Sequence, residues 1–356
     1  MRKRFRDRFC AVGVMECGPN NTITDVPGVR VGHATLKERG RLNTGVTAII
    51  PHDGDLYRRR VPAAVYAANG FGKMTGVLQL TELGELETPI LLTGTLSVWR
   101  VADALAGHLL QLETMQDVRS INPVVGETND GLLSDIRARP LGEEMVVQAL
   151  ADANDGLVVE GAVGAGAGTV CFGWKGGIGA SSRRVELAGE PYLLGALVQS
   201  NFGGRLTICG VPVGDSLGLS DMDVDGEHLA SADGSVMVVV ATDAPLDSLQ
   251  LGRLAKRAMS GVIRAGGVIS HGSGDIVIAF SSSKHVRRSI SDPVWSPRLL
   301  APNTLTPLFH GVAEAVEESV YNSLTTAVTT VGHRGTAEAL PLDRVEQILK
   351  SHSVLR

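Results

Sequence analysis

A run of apolar residues from 235 to 242, SVMVVVAT, constrains the fold of this chain more than any other segment. β-Branched residues favour strands, and this run lacks the alternation of apolar and polar side chains that a half-exposed strand shows. Both faces of the strand must therefore be covered by other layers. Glycine supplies 43 of the 356 residues, scattered at turns and strand ends, so those layers can pack closely. The segment predicts stacked sheets with helices outside them.

Other segments supply the elements for these layers. Apolar residues at helical spacing predict helices over residues 97–113, 246–265 and 308–328. Strand patterns fall at residues 44–52, 192–201, 205–213 and 274–280, with a strand, turn and strand over 158–172. No repeat of fixed period and no strong linker interrupts the pattern. We therefore expect an arm of residues 1–20, exposed to solvent, and a single domain of residues 21–356.

Composition excludes several classes of function. The net charge of −5 and the 20 % of charged residues give no basic surface for nucleic acid or anionic membranes. The four cysteines lack C-x-x-C spacing, which favours a reduced, cytoplasmic protein. The apolar stretch after the basic N-terminus is too short to span a membrane. The nine histidines form no H-E-x-x-H motif and no tight cluster with cysteine, so we expect no metal and no cofactor.

The junction between Gly234 and Ser235 is an unusual place for a hydroxyl. It ends an acidic stretch, residues 214–234, that contains no Lys or Arg, and it begins the apolar strand. If the backbone were cut there, Ser235 would carry a hydroxyl nucleophile and an amine base on one residue. The junction thus indicates a self-cleaving hydrolase. The alternative is an acidic loop that leads into an ordinary core strand.

Two further segments could support Ser235. In the strand that begins near Ser273 and Asp275, residues two apart lie on one face, roughly 6.6 Å from each other. A free α-amine has a pKa of about 8, and a hydroxyl backed by a carboxylate could orient it as a base. Asn201, at the end of another strand and followed by FGG, could direct its amide at an oxyanion. Each segment could instead be a simple turn.

Five segments together resemble one known family. They are NTITDVPGVRVGHATL, NPVVGETNDGLLSD, AVGAGAGT, DGSVMVVVATDAPL and GSGDIVIAFS, in that order along the chain. They are similar to the DmpA-type self-processing aminopeptidases, which include L-aminopeptidase/D-esterases and β-peptidyl aminopeptidases. The resemblance covers nearly the whole chain except the first twenty residues and the C-terminal tail. It implies an α+β fold, a four-layer αββα sandwich of the DmpA and ornithine acetyltransferase type, similar in layering to N-terminal-nucleophile hydrolases.

The resemblance also implies roles for particular residues. Cleavage after Gly234 would give chains 1–234 and 235–356 and expose Ser235 as the nucleophile. Ser273 and Asp275 match the supporting pair, with Asp275 standing where some members have Glu. Asn201 matches the oxyanion donor.

Two more positions bear on substrate binding and on the oxyanion. Glu127, in GETNDG, resembles the carboxylate that holds the substrate's free amine, although a solvated loop carboxylate is the alternative. Near Leu132 some members have a Tyr that helps to bind the oxyanion. Leucine cannot donate a hydrogen bond, so the donors expected for the oxyanion are Asn201 and backbone N–H groups.

The predicted function is a cytoplasmic N-terminal-serine hydrolase that releases N-terminal residues from short peptides, amides or esters through an acyl-enzyme. The expected assembly is a homo-oligomer of αβ heterodimers. The choice among L-α-, D-α- and β-amino substrates stays open. The alternatives are an acyltransferase with the same nucleophile and an uncleaved, non-enzymatic member of the fold. Two competing motifs are weaker: GDSLG over residues 214–218 matches a nucleophile elbow, and AVGAGAGT lacks the spacing of a phosphate loop.

Overall fold

The computed structural model describes residues 2–218 and 234–355. In these ranges the strands are β1 (Arg30–Glu38), β2 (Leu42–Ile50), β3 (Arg59–Gly70), β4 (Glu85–Leu86), β5 (Ile90–Gly94), β6 (Val124–Thr128), β7 (Val170–Cys171), β8 (Trp174–Lys175), β9 (Gly177–Leu187), β10 (Glu190–Asn201), β11 (Ser235–Thr242), β12 (Gly274–Ser281), β13 (Arg288–Ser289), β14 (Thr330–Val331) and β15 (Thr336–Ala337). The helices are α1 (Phe5–Arg8), α2 (Val77–Glu82), α3 (Val98–Leu110), α4 (Glu143–Ala151), α5 (Val213–Leu217), α6 (Ser248–Arg264), α7 (Thr306–Thr326) and α8 (Leu342–Ser351). None of the described helices is long and apolar enough to cross a membrane.

Two sheets form the centre of the molecule. The smaller has the order β1-β2-β5-β6, and the larger has the order β13-β3-β12-β11-β10-β9, with β4 paired to β3. In the larger sheet β11 lies antiparallel to β10 and parallel to β12. The strand that begins with Ser235 therefore occupies the middle of the larger sheet.

Three hydrophobic clusters define four layers. Val236 and Val238 of β11 pack in one cluster with α6 and α7, whereas Met237 and Val239 pack in a second cluster against the smaller sheet. A third cluster joins the far face of the smaller sheet to α3 and α4. Helices, sheet, sheet and helices thus follow one another, and both faces of β11 are covered. The αββα fold that the sequence predicted is confirmed.

The predicted helices are present with small shifts of their ends. The helix α6 begins after Asp247, whose carboxylate accepts the N–H of Gln250 at 2.8 Å, while the Gln250 side chain accepts the N–H of Asp247. This reciprocal capping satisfies two donors that the first turn would leave free. A local sequence signal of this kind is why the helix start could be predicted.

The strand predicted over residues 205–213 is wrong. Cys209 and Gly210 both have left-handed backbone conformations, with φ of 49° and 81°, so the chain turns back on itself there. Ile208 and Val211 bond to each other across the turn. In the segment 158–172 only β7 is a strand, and most of the rest is loop and turn. The nucleophile elbow at residues 214–218 consequently lacks its preceding strand; residues 219–233 of the acidic stretch lie outside the described residues.

The prediction of a solvated N-terminal arm is also wrong. Phe5 is fully buried and its ring lies 4.8 Å from that of Tyr321 on α7. Arg6 donates two hydrogen bonds of 3.0 Å to Glu318, which is itself buried on α7. The basic residues of the arm therefore bind carboxylates and carbonyls of the folded domain rather than water.

Candidate active site

The larger sheet brings Ser235, Asn201, Ser273 and Asp275 together. Ser235 is the first residue of β11, opposite Asn201 at the end of β10 and beside Gly274 at the start of β12. Ser273 and Asp275 flank Gly274 in the chain. Neighbouring strands thus begin or end at the same edge of the sheet, so residues distant in sequence converge there.

Two donors converge on the Ser235 hydroxyl, which belongs to a residue that is 3 % exposed. The backbone N–H of Asn129 lies 3.2 Å from its Oγ, and the Nδ2 of Asn201 lies 3.3 Å from the same atom. The Oδ1 of Asn201 accepts the N–H of Val170 at 3.0 Å. Because a backbone N–H can only donate, this bond holds the amide with Nδ2 facing Ser235.

Ser273 donates its hydroxyl proton to Oδ1 of Asp275 at 2.7 Å. Both residues are buried, and Oδ2 of Asp275 has no partner in the described part of the chain. Burial raises the pKa of Asp275 to about 6, and the bond from Ser273 opposes that increase. A Cβ at Gly234 would lie 3.3 Å from Oγ of Ser273, so this hydroxyl is directly beside the Gly234–Ser235 junction.

The carbonyl of Gly234 has its own donor. The N–H of Gly274 binds the Gly234 oxygen at 3.3 Å. The turn before Gly274 is fixed by Asn69, whose Nδ2 donates to the carbonyls of Ser270, His271 and Ser273. The oxygen of the junction and the hydroxyl of Ser235 are thus bound by different groups.

Glu127 lies near the end of β6 and is 4 % exposed. Its Oε1 accepts the N–H of Lys73 at 2.9 Å, and the Lys73 ammonium is 3.9 Å away. Burial raises the pKa of Glu127, and its bonds to Lys73 and Thr95 oppose the increase. Glu127 is therefore a buried carboxylate with a cation close by, and not the solvated loop carboxylate that the sequence left as an alternative.

A cleft of about 660 Å³ lies beside these groups, with Asn129, Asn201, Gly234, Phe71 and Leu132 in its lining. Leu132 is 46 % exposed and presents only a hydrocarbon surface. A larger cavity of about 1180 Å³ lies at the opposite end of β11 and β12, where Asp243 and Ser282 follow the two strands, and it contains none of the predicted site residues. In residues 2–218 and 234–355, no group of three or more His, Cys, Asp and Glu could hold a metal ion.

The sequence did not reveal the parts of the site that depend on long-range contacts. Asn129 and Val170 contribute backbone N–H groups, which every residue except proline has, so no residue type signals them. Gly168 and Val170, at the end of the Gly-rich segment, line the cleft. Asn129 lies only two residues after Glu127, which is the one local clue.

Comparison with known proteins decides the family, since the model of Peptidase family S58 matches residues 21–338. The chain belongs to peptidase family S58. It is 40 % identical over 355 residues to the β-peptidyl aminopeptidase BapA of Sphingosinicella microcystinivorans, with 94 % of this chain and 89 % of the relative covered. The aminopeptidase function and the serine-hydrolase class that the sequence predicted are confirmed.

Two solved structures are similar over their whole length. The PH0078 protein of Pyrococcus horikoshii OT3 superposes with a TM-score of 0.90 at 42 % identity, with 99 % of each chain covered. The L-aminopeptidase D-Ala-esterase/amidase of Ochrobactrum anthropi superposes with a TM-score of 0.89 at 37 % identity, again with 99 % of each chain covered. The latter is described as a prototype serine aminopeptidase and a variant of the N-terminal-nucleophile hydrolase fold. This chain therefore has that fold.

Proposed function

We propose that this aminopeptidase cuts its own backbone between Gly234 and Ser235 and then uses Ser235 as its N-terminal nucleophile. The observation that supports this most is the convergence of Asn129 N–H and Asn201 Nδ2 on the Ser235 hydroxyl, at a strand start beside Ser273 and Asp275. Donors beside the nucleophile's Oγ are placed to bind the carbonyl oxygen of a substrate that Oγ attacks, and such donors stabilise the oxyanion that develops there.

Self-cleavage begins when Oγ of Ser235 attacks the carbonyl carbon of Gly234. The bond between Gly234 and the Ser235 nitrogen breaks, an ester forms, and the nitrogen leaves as an amine after taking up the hydroxyl proton. Water then hydrolyses the ester, which releases the Gly234 carboxylate and restores the hydroxyl. The N–H of Gly274 stabilises the negative charge on the Gly234 oxygen during the attack.

Turnover uses the same hydroxyl with a different set of donors. The new α-amine accepts the hydroxyl proton, and the Ser273–Asp275 pair orients it. Asn201 and the N–H of Asn129 then bind the substrate oxyanion, so a backbone donor replaces the hydroxyl that Leu132 lacks. The substrate's amide or ester bond then breaks as the protonated α-amine passes its proton to the departing amine or alcohol. Water hydrolyses the remaining acyl-enzyme, which releases the acid and restores the Ser235 hydroxyl, with no cofactor.

The substrates proposed are short peptides, amides and esters with a free amine, which the buried Glu127 binds as an ammonium. The cleft of about 660 Å³ suits a small molecule or a chain end rather than a folded protein. The name of the Sphingosinicella relative makes β-amino substrates one candidate class, beside L-α- and D-α-amino compounds. A homo-oligomer of αβ units in the cytoplasm remains the prediction for assembly and location.

Mass measurement of the purified protein under denaturing conditions tests the cleavage. We expect chains of 234 and 122 residues, the latter from 356 − 234, and Ser as the first residue of the shorter chain. Ser235→Ala should stay full-length and inactive because it lacks the hydroxyl for both steps. Ser281→Ala is the matched control, since this buried serine at the far end of β12 bonds to the backbone of Ala244 and Ser283 and to none of the site residues.

A full-length chain that still turns over would contradict the mechanism. An uncleaved, inactive wild-type protein would instead support a non-enzymatic member of the fold. Adding amine acceptors to a turnover assay separates hydrolysis from acyl transfer, because a transferase would pass most of the acyl group to the amine.

A further inference from the structure

Lys175 is a fully buried cation that the proposed mechanism does not use. Its Nζ donates to the carbonyls of Gly166 and Thr169 at 2.9 Å each and to that of Gly176 at 2.8 Å. Burial lowers the pKa of Lys175 to about 7. Three carbonyl acceptors match the three protons that an ammonium donates, so this arrangement favours the charged form and opposes the effect of burial.

One of these carbonyls connects Lys175 to the nucleophile. The oxygen of Thr169 and the N–H of Val170 belong to the same planar peptide group. That N–H binds Oδ1 of Asn201 at 3.0 Å, and Nδ2 of Asn201 lies 3.3 Å from Oγ of Ser235. A continuous chain of three hydrogen bonds, through one peptide group and one side-chain amide, thus runs from the ammonium to the nucleophile.

The direction of this chain suits the reaction. Every group in it donates toward Ser235, with the positive charge at the far end. At the near end, the carbonyl oxygen of a substrate attacked by Oγ would lie beside Asn201 and gain the negative charge. A cation polarises the amide that it binds, which makes the N–H of that amide a stronger donor, and the effect passes along a series of bonds in a medium of low dielectric. The chain would therefore strengthen as the oxyanion forms.

We propose that Lys175 is a positioning residue of the oxyanion hole, which fixes the Thr169–Val170 peptide and through it aims and polarises the Asn201 amide. Lys175 does not touch the substrate and acts only through Asn201. This inference rests on the proposed function, because it assumes that Ser235 attacks the substrate and that Asn201 binds the oxyanion formed on the substrate carbonyl.

A double-mutant cycle between Lys175 and Asn201 tests the proposal. Lys175→Met keeps an unbranched side chain of similar length without its charge and donors. It should lower kcat by about 10- to 100-fold with KM little changed, since loss of a whole oxyanion donor lowers kcat by about 10²- to 10³-fold. In an Asn201→Ala background the same change should lower kcat by no more than about twofold, because the residue through which it acts is gone.

Arg183→Met is the matched control. Arg183 is also a fully buried cation, but it binds Glu314 and Glu318 on α7 and lies outside the series of bonds that leads to Asn201. Any loss of kcat in this variant should be equally large with and without Asn201. Self-cleavage should persist in Lys175→Met, because the Gly234 oxygen is bound by Gly274 and not by Asn201.

Two results would overturn the proposal. One is a wild-type kcat in Lys175→Met, and the other is the same factor of loss in both backgrounds. If Lys175→Met does not fold, Lys175→Gln enters the same cycle, since its neutral amide keeps two donors; it should show the same dependence on Asn201. If the proposed function itself were wrong, Ser235→Ala would retain turnover. That result does not depend on the Lys175 variants, so the two failures can be told apart.

Discussion

At the scale of single residues, burial sets the protonation of the carboxylates around Ser235. Asp275 must be ionised to accept the Ser273 proton, and its pKa is about 6. The α-amine must be neutral, and its pKa is about 8. The logarithm of kcat/KM should therefore rise with a slope of 1 between these two values and approach a slope of 2 below pH 6. In Asp275→Asn only the α-amine titrates, so the logarithm of kcat/KM should rise with a slope of 1 at every pH below about 8. Turnover of this variant should be lower by about 10²- to 10⁴-fold.

Stability gives an independent check on Asp275. Burial raises its pKa in the folded protein above the ordinary value, so the protonated carboxyl is the form that favours the fold. This contribution to stability is fully present below the pKa of Asp275 in the unfolded chain and is lost as pH rises through about 6. Asp275→Asn should consequently be as stable as the wild type at pH 8, or more stable, while losing turnover. Thermal unfolding measures this, and a variant that is much less stable at pH 8 would show that Asp275 holds the fold instead.

The residue Glu127 tests what the cleft recognises. Because its carboxylate is buried, an ammonium partner bound there exchanges little with water, and a charged hydrogen bond of this kind contributes about 1.5–3 kcal/mol. N-Acetylated substrates should react far more slowly than free amines. Glu127→Gln should raise KM by roughly 10- to 150-fold, with kcat falling less. Equal rates on free and acetylated substrates would show that the cleft does not recognise the amine.

At the scale of elements, the sequence correctly predicted features that depend only on residues within one segment. The apolar faces of β11 and the ends of α6 follow from residues within those segments. The left-handed turn at Cys209 and Gly210 replaced a predicted strand because Arg205 and Thr207 bond to the chain after α6, which the sequence does not show. The same holds for Lys175 and Arg183, whose burial depends on acceptors far away in sequence or on loop geometry.

The helix α7 offers a test of such a buried cluster. Glu318 accepts bonds from Arg6, Asn21 and Arg183. Burial alone would raise the pKa of Glu318, but the bond from Arg6 and the charge of Arg183 hold it below its ordinary value. Glu318→Gln should lower the free energy of unfolding by about 3–5 kcal/mol, the usual result when one partner of a buried ion pair is removed. Denaturation in urea measures the change.

Glu186→Gln is the control for α7, since Glu186 and its partner Arg184 are both largely exposed. It should change the free energy of unfolding by no more than about 1 kcal/mol. Equal effects of the two variants would mean that the buried cluster contributes no more than a surface pair. Because the stabilising form of Glu318 is ionised, its contribution should also be lost as pH falls through its lowered pKa.

At the scale of the whole molecule, the two chains that cleavage would produce are interleaved. In the larger sheet β12 and β11, from the second chain, lie between β3 and β10, from the first. The N-terminal arm of the first chain adds bonds to the second, since Arg2 binds the Thr325 and Leu340 carbonyls and Arg8 pairs with α8. Separating the chains would break three strand pairings, β3 with β12, β3 with β13 and β10 with β11, and would open two hydrophobic clusters.

The cleaved protein should therefore behave as one particle until it unfolds. Gel filtration without denaturant should give a single peak that contains both chains, and denaturant should release them in one transition together with the loss of β structure. Removal of residues 1–20 should lower the unfolding temperature without preventing cleavage, because the groups that bind Gly234 and Ser235 come from Asn129, Asn201 and Gly274, outside the arm. Dissociation of the 122-residue chain from a remainder that stays folded would contradict the interleaved order of the larger sheet, since β3 and β10 would then lose the two strands between them.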